Sequence, residues 1–162
     1  MLENIQIFIG HIVSVLLVFH DKYHLSILRK KHILHKSVKV GRFSRFPGNG
    51  KVIIKENSYI GINCFIEAHP SGTIVTIGKN CALAHGIQIR TIAYDNLENK
   101  SRKKLGNVTI GDNVWIGSNV YIKGGITIGN GAKIGANAVI LNDVPEGATA
   151  VGIPARNILK VN

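Results

Sequence analysis

Isoleucine recurs without a break at Ile110, Ile116, Ile122, Ile128, Ile134 and Ile140, a spacing of six residues. Glycine follows four of them, as Gly111, Gly117, Gly129 and Gly135, and a small or branched residue stands four places on: Val114, Val120, Ile126, Ala132, Ala138 and Val144. The same rhythm runs earlier as Ile54, Ile60 and Ile66, then Ile77, Leu83 and Ile89. An α-helix does not produce it, because a period of six does not track 3.6 residues per turn, and each glycine would cost about 1 kcal/mol in a helix interior. Plain alternation does not produce it either. A short strand followed by a corner does, repeated so that every isoleucine points inward at the same height. Three such strands close a coil of about eighteen residues, and stacked coils pair in parallel about 4.8 Å apart. The pattern therefore predicts an all-β chain, a parallel β-helix of six-residue repeats over residues 37–162.

Ahead of the repeats lies an apolar stretch, Ile5 to Phe19, broken by Gln6, Gly10, His11 and Ser14. It predicts a short N-terminal helical segment within residues 1–36. The stretch is shorter than the roughly 20 residues that span a bilayer. Acidic Glu3 and the lack of a small-residue cleavage site argue against a signal peptide. The segment is expected to cap the coil or pack between subunits. Lying on an anionic membrane is the alternative, since cations follow from Lys22 onward. The expected location is cytoplasmic, with any membrane contact made peripherally through this segment.

Composition fits this picture: 45% hydrophobic and 18% charged residues describe a globular chain. The net charge of +11 is uneven, with one cluster at Lys22, Arg29, Lys30, Lys31, Lys36, Lys39, Arg42 and Arg45 and another at Lys100, Arg102, Lys103 and Lys104. Such clusters are either a solvated face or a surface for phosphates and other anions. Nucleic acid is not expected, because no aromatic-rich basic motif accompanies the charge. The two cysteines, Cys64 and Cys81, fall where the repeat wants a small inward residue and read as buried thiols.

The repeat [LIV]-[GAED]-x-x-[STAV]-x over residues 52–160 resembles the hexapeptide-repeat acyltransferase family. The densest matches are Val108-Thr-Ile-Gly-Asp-Asn-Val-Trp-Ile-Gly117 and Gly152-Ile-Pro-Ala-Arg156. They are similar to the branch of galactoside and maltose O-acetyltransferases and of enzymes that decorate polysaccharides. The resemblance implies a left-handed coil, a homotrimer and acetyl-CoA as acyl donor, with no metal. It also implies that the loop at 92–107 protrudes over the active site of a neighbouring subunit.

The rhythm breaks at Ala68–Thr73 and at residues 92–107, and polar interruptions of a regular scaffold are where function tends to sit. Acyl transfer to a hydroxyl needs a base for the acceptor proton, and histidine suits that task. Where relatives carry a loop histidine, this chain has Tyr94. Of its seven histidines only His69 and His85 fall within the repeats. The corners before Ile77 and after Ile89 lie on one edge, a coil apart, so His69 faces the root of the loop. His85 lies on a different edge, within reach of the site across a subunit interface. Both are candidates for the catalytic residue. The resemblance further assigns Asn63, Tyr94, Asp95 and Trp115 to the acceptor. It assigns Ser118, Gly135, Ala136, Asn142 and Arg156 to the cofactor groove.

The expected activity is acetyl-CoA-dependent O-acetylation of a sugar hydroxyl, in polysaccharide or O-antigen biosynthesis. The short N-terminal segment leaves no room for the separate helical domain of serine acetyltransferases. N-acylation of a nucleotide-linked amino sugar is the alternative enzyme, since an amine depends less on a dedicated base. A non-catalytic β-helix scaffold is the alternative outside enzymology. A hydratase resembling γ-carbonic anhydrase is disfavoured, because three metal-ligating histidines would be needed and the repeats hold two.

Overall fold

A computed structural model describes residues 2–94 and 103–158. They form two compact units, residues 1–31 and 32–162. The first is one helix, α1, Leu2–Lys31. Arg29, Lys30 and Lys31 in its last turn complement the negative end of the helix dipole. Ile9, Ile12, Val13, Val15 and Leu16 are exposed on it. No described helix is long and apolar enough to cross a membrane.

The second unit is a coil with three faces. The first face stacks Ile33–Leu34, Lys51–Ile54, Ile74–Ile77, Val108–Ile110 and Thr127–Ile128. The second stacks Lys39–Val40, Tyr59–Ile60, Ala82–Leu83, Trp115–Ile116, Lys133–Ile134 and Thr149–Gly152. The third stacks Phe65–Glu67, Gln88–Arg90, Tyr121–Lys123 and Val139–Ile140. Neighbours within each of these stacks are parallel, and the register is that of the sequence repeat. Ile54, Ile77, Ile110 and Ile128 are successive partners on the first face. Ile60, Leu83, Ile116 and Ile134 follow on the second, and Ile66, Ile89, Ile122 and Ile140 on the third. All twelve are buried, each contributing about 1.5–3 kcal/mol by the usual measure of side-chain burial.

The corners follow the same logic. Asn57, Asn63, Asn80, Asn113, Asn119 and Asn137 all have left-handed backbone, with φ between 53° and 60°. Asparagine tolerates that conformation better than other residues with a Cβ. Cys64 and Cys81 are free and buried beneath the corners. Their thiols donate to the carbonyls of Ala84 (3.3 Å) and Gly111 (3.0 Å) in the adjacent coils.

At the last coil the chain reverses, and Ala155–Ile158 pairs antiparallel with Thr149–Gly152, closing the edge of the second face. The interruption read from sequence as a polar loop also carries structure. Ile92–Tyr94 and Lys103–Leu105 pair antiparallel as a two-stranded ribbon, with Ile92 opposite Leu105 and Tyr94 opposite Lys103.

Candidate active site

Two edges of the coil hold the candidate residues. At the edge between the third and first faces, the corner at Ala68–Thr73 is pinned to the coil below through Thr91. The backbone N–H of His69 donates to Thr91 Oγ1 at 2.9 Å, and Thr73 Oγ1 lies 2.8 Å from the same oxygen. Thr73 also donates to the His69 carbonyl at 3.1 Å. Both threonines are buried. The ribbon starts at the next residue, Ile92, so His69 stands one coil from its root. The His69 Nδ1 accepts the backbone N–H of Ser71 at 3.2 Å.

At the edge between the second and third faces, the corners are strung together by backbone hydrogen bonds. Gly86 N–H donates to the Ile62 carbonyl, Asn119 N–H to that of His85, and Asn137 N–H to that of Ser118. Ile62, His85 and Ser118 therefore occupy equivalent places in successive coils, followed by Ala136. His85 is exposed, and its Nδ1 accepts the Ile62 backbone N–H at 2.9 Å.

An imidazole nitrogen that accepts an N–H carries no hydrogen, so in each neutral ring the hydrogen sits on Nε2. As placed, His69 and His85 each present a donor outward. The lone pair on Nδ1 of each ring is occupied by a backbone N–H. Such a group suits a developing oxyanion or a thioester carbonyl oxygen.

The remaining predicted residues divide between edges. Ser118, Gly135 and Ala136 share the His85 edge. Ser118 is half-buried and Ala136 exposed, which leaves the backbone there approachable. At Gly135 a Cβ would come within 2.8 Å of the Val151 side chain, so this glycine serves packing within the chain as well. Asn142 falls between Ile140 of the third face and Val144, which bridges to Ile128 of the first, and so lies on the His69 edge; with Arg156 it lines a cavity of about 270 Å³. Trp115 projects from the second face, in register with Ala82 and Lys133, and is 49% exposed. Asp95 lies outside the described residues, and Tyr94 is described only as the ribbon residue opposite Lys103. Among the described residues, no group of three or more His, Cys, Asp or Glu is placed to hold a metal.

Asn63 belongs to a feature the sequence did not single out. With Arg45, Phe65, Gln88, Arg90 and Asn119 it lines a cleft of about 360 Å³ beside the His85 corner. The usable signal was register: Phe65 and Gln88 each precede an inward isoleucine, and Arg90 follows one, which places all three outward on one face.

A stacked three-faced coil of six-residue repeats defines a class of protein, the parallel β-helix. Comparison with known proteins gives the family. The bacterial transferase hexapeptide (six repeats) family matches residues 107–142. The serine acetyltransferase of Helicobacter pylori strain J99 is 30% identical over 168 residues, covering 91% of this chain and 86% of that protein. The serine acetyltransferase of Synechococcus elongatus is 31% identical over 137 residues, covering 85% of this chain. The alignment spans only 46% of that longer relative. Among solved structures, a maltose O-acetyltransferase from Clostridium difficile 630 superposes with a TM-score of 0.73 at 33% identity, covering 85% of this chain and 74% of that one. The chain belongs to the hexapeptide-repeat acyltransferase family, and its coil is the family's left-handed parallel β-helix.

Proposed function

We propose that this protein transfers an acetyl group from acetyl-CoA to a sugar hydroxyl. The observation that carries the reading is the single edge on which His85 stands directly above Ser118 and Ala136, with a polar cleft opening beside it. Small corner residues let the thin pantetheine arm run along the backbone and bring the thioester to His85. The acceptor oxygen attacks the thioester carbonyl carbon, and the new C–O bond forms as negative charge moves to the carbonyl oxygen. The Nε2–H of His85 is oriented to hold that oxygen. Collapse expels the CoA sulfur, which takes up the proton released by the acceptor and leaves as free thiol. The likeness to a maltose O-acetyltransferase supports a sugar acceptor.

The split of the predicted cofactor residues supports assembly as a trimer. Ser118 and Ala136 lie on one edge, whereas Asn142 and Arg156 lie at the last coil near another. A groove that uses both sets is completed by the edges of two adjacent copies.

A second reading, N-acetylation of an amino sugar, is favoured by the histidine hydrogen bonds. With Nδ1 of both rings turned to the backbone, neither is poised to take a hydroxyl proton. A neutral amine attacks without prior loss of one. Free-thiol release from acetyl-CoA over a panel of neutral and amino sugars decides between them. Turnover confined to hydroxyl acceptors supports the first reading, and turnover confined to amines supports the second. If no sugar of either kind is acetylated while acetyl-CoA binds, both are wrong.

A further inference from the structure

We propose that the cleft over Phe65 is an anion-binding subsite, and that the acceptor carries a carboxylate or phosphate group seated between Arg45 and Arg90. The inference rests on the reading of this edge as the acceptor side of an acyltransferase.

The two arginines reach the cleft from different coils. Arg45 bridges to Phe65 from the coil above, while Arg90 pairs with Glu67 from the coil below. Both guanidinium groups converge on the one aromatic ring, with Cζ 5.7 Å from its centroid for Arg45 and 4.9 Å for Arg90. A cation–π contact steadies a guanidinium without using its N–H donors, which stay free to meet a planar or tetrahedral anion. Two cations held against one ring raise the positive potential of the cleft, and a negative charge within reach of both lowers it. Glu67 supplies one such charge, but its Oε2 lies 3.7 Å from Arg90 Nη1 and is buried without a hydrogen bond. That carboxylate faces Arg90 and offsets one arginine. Among the described residues, no carboxylate pairs with Arg45. Lys123, in register with Arg90 on the next coil, adds a further cation to the same face. The cleft thus keeps an excess of positive charge over an apolar floor.

The rest of the lining suits a sugar. Asn63, Gln88 and Asn119 present amides, which both donate to and accept from hydroxyl groups. Gly86 keeps the wall open, because a Cβ there would collide with the Asn119 side-chain oxygen. The cleft also touches the catalytic edge directly. Gly86 follows His85 in the chain, and Asn63 follows Ile62, whose N–H orients the His85 ring. An anionic group held by the arginines leaves the remainder of a sugar ring pointing to His85.

The test is equilibrium binding, followed by turnover, with four acceptors of like ring size: a neutral hexose, a hexuronic acid, a hexose 1-phosphate and a nucleotide-diphosphate hexose. Wild type is compared with Arg45→Gln and with the paired change Arg90→Gln/Glu67→Gln, which removes the buried charge together with its cation. Acidic sugars are expected to bind at least about tenfold more tightly than the neutral one, the scale of one charge-assisted hydrogen bond. Preference for the hexuronic acid identifies a carboxylate, and preference for either phosphate compound a phosphoryl group. Each variant is expected to lower the acidic-to-neutral ratio about tenfold. Equal binding of acidic and neutral sugars in wild type, or an unchanged ratio in Arg45→Gln, overturns the proposal. Binding is read without turnover. A selective cleft with no acetyl transfer therefore sinks the enzymatic reading alone, and acetyl transfer without selectivity sinks the subsite alone.

Discussion

The backbone N–H of Ile62 points at Nδ1 of His85, 2.9 Å away and 23 residues later in the chain. One coil thereby sets the tautomer of a side chain on the next, and it does so with a backbone group that, of the twenty residues, proline alone would remove. The histidine is held as a hydrogen-bond donor.

This has a kinetic consequence. His85→Ala is expected to lower kcat by about 10²–10³-fold, the usual loss for one oxyanion donor. His85→Gln keeps an amide N–H at similar reach and is expected to recover part of that loss. Thiol-release kinetics on both variants, with His69→Ala alongside, decides the matter. If the glutamine variant is as slow as the alanine variant, the ring acts as a base after all. If only His69→Ala is slow, the chemistry belongs to the other edge.

Thr91 Oγ1 accepts the His69 N–H and meets Thr73 Oγ1 in a buried site. Thr91→Val preserves shape and removes the hydroxyl, leaving the His69 N–H unpaired. A loss of about 1–3 kcal/mol in urea unfolding is expected. An unchanged midpoint would mean that the expanded corner is not held by this oxygen.

Burial pushes the thiols of Cys64 and Cys81 above the ordinary range. The native protein is therefore expected to react with a thiol reagent at pH 8 only as fast as it opens, and completely once denatured. The sign of the linked effect on stability follows. A raised native value means the folded state keeps its proton where the unfolded state loses it. The contribution is present below about pH 8.5, the free-thiol value, and is lost as pH rises beyond it. Cys64→Ser/Cys81→Ser should flatten that alkaline decline in a series of denaturant melts, and an identical slope would rule the thiols out as its cause.

Ile116 sits between Leu83 and Ile134 at the centre of the second face, fully buried. Ile116→Ala should cost about 2–5 kcal/mol, because the coils above and below cannot both collapse into the gap. Chemical denaturation measures it. A cost under about 1 kcal/mol would show that the stack adjusts more freely than a close-packed core does.

The ladder to which Ile116 belongs was legible in the sequence because its positions obey one rule. Every inward site meets the same geometry, so evolution fills it with the same residue. Register follows at once, as does the shared edge of the His69 corner and the loop. Outward positions obey no such rule. Arg45, Phe65, Gln88 and Arg90 bring three different chemistries to one face, and it is the stacking of coils that makes them meet. Arg45 was read only as one cation of the cluster that begins at Lys22, and the structure sets it beside Phe65. The histidine tautomers were equally out of reach, since they depend on where a corner N–H points. The ribbon at Ile92–Tyr94 and Lys103–Leu105 escaped because its strands are only three residues each, one apolar and one mostly basic, without the alternation that marks a half-buried strand.

The corners and the faces also differ in what they tolerate. A residue added within a face strand turns every following side chain of that strand inside out. Residues added at a corner leave the isoleucines where they were, as the detour Ala68–Thr73 shows: Ile54 and Ile77 still stand in register across it. The molecule can thus lengthen, reshape or recharge its edges at little risk to the stack that carries them. New surface chemistry therefore has an open route into this architecture, one insertion at a time, at corners such as Ala68–Thr73.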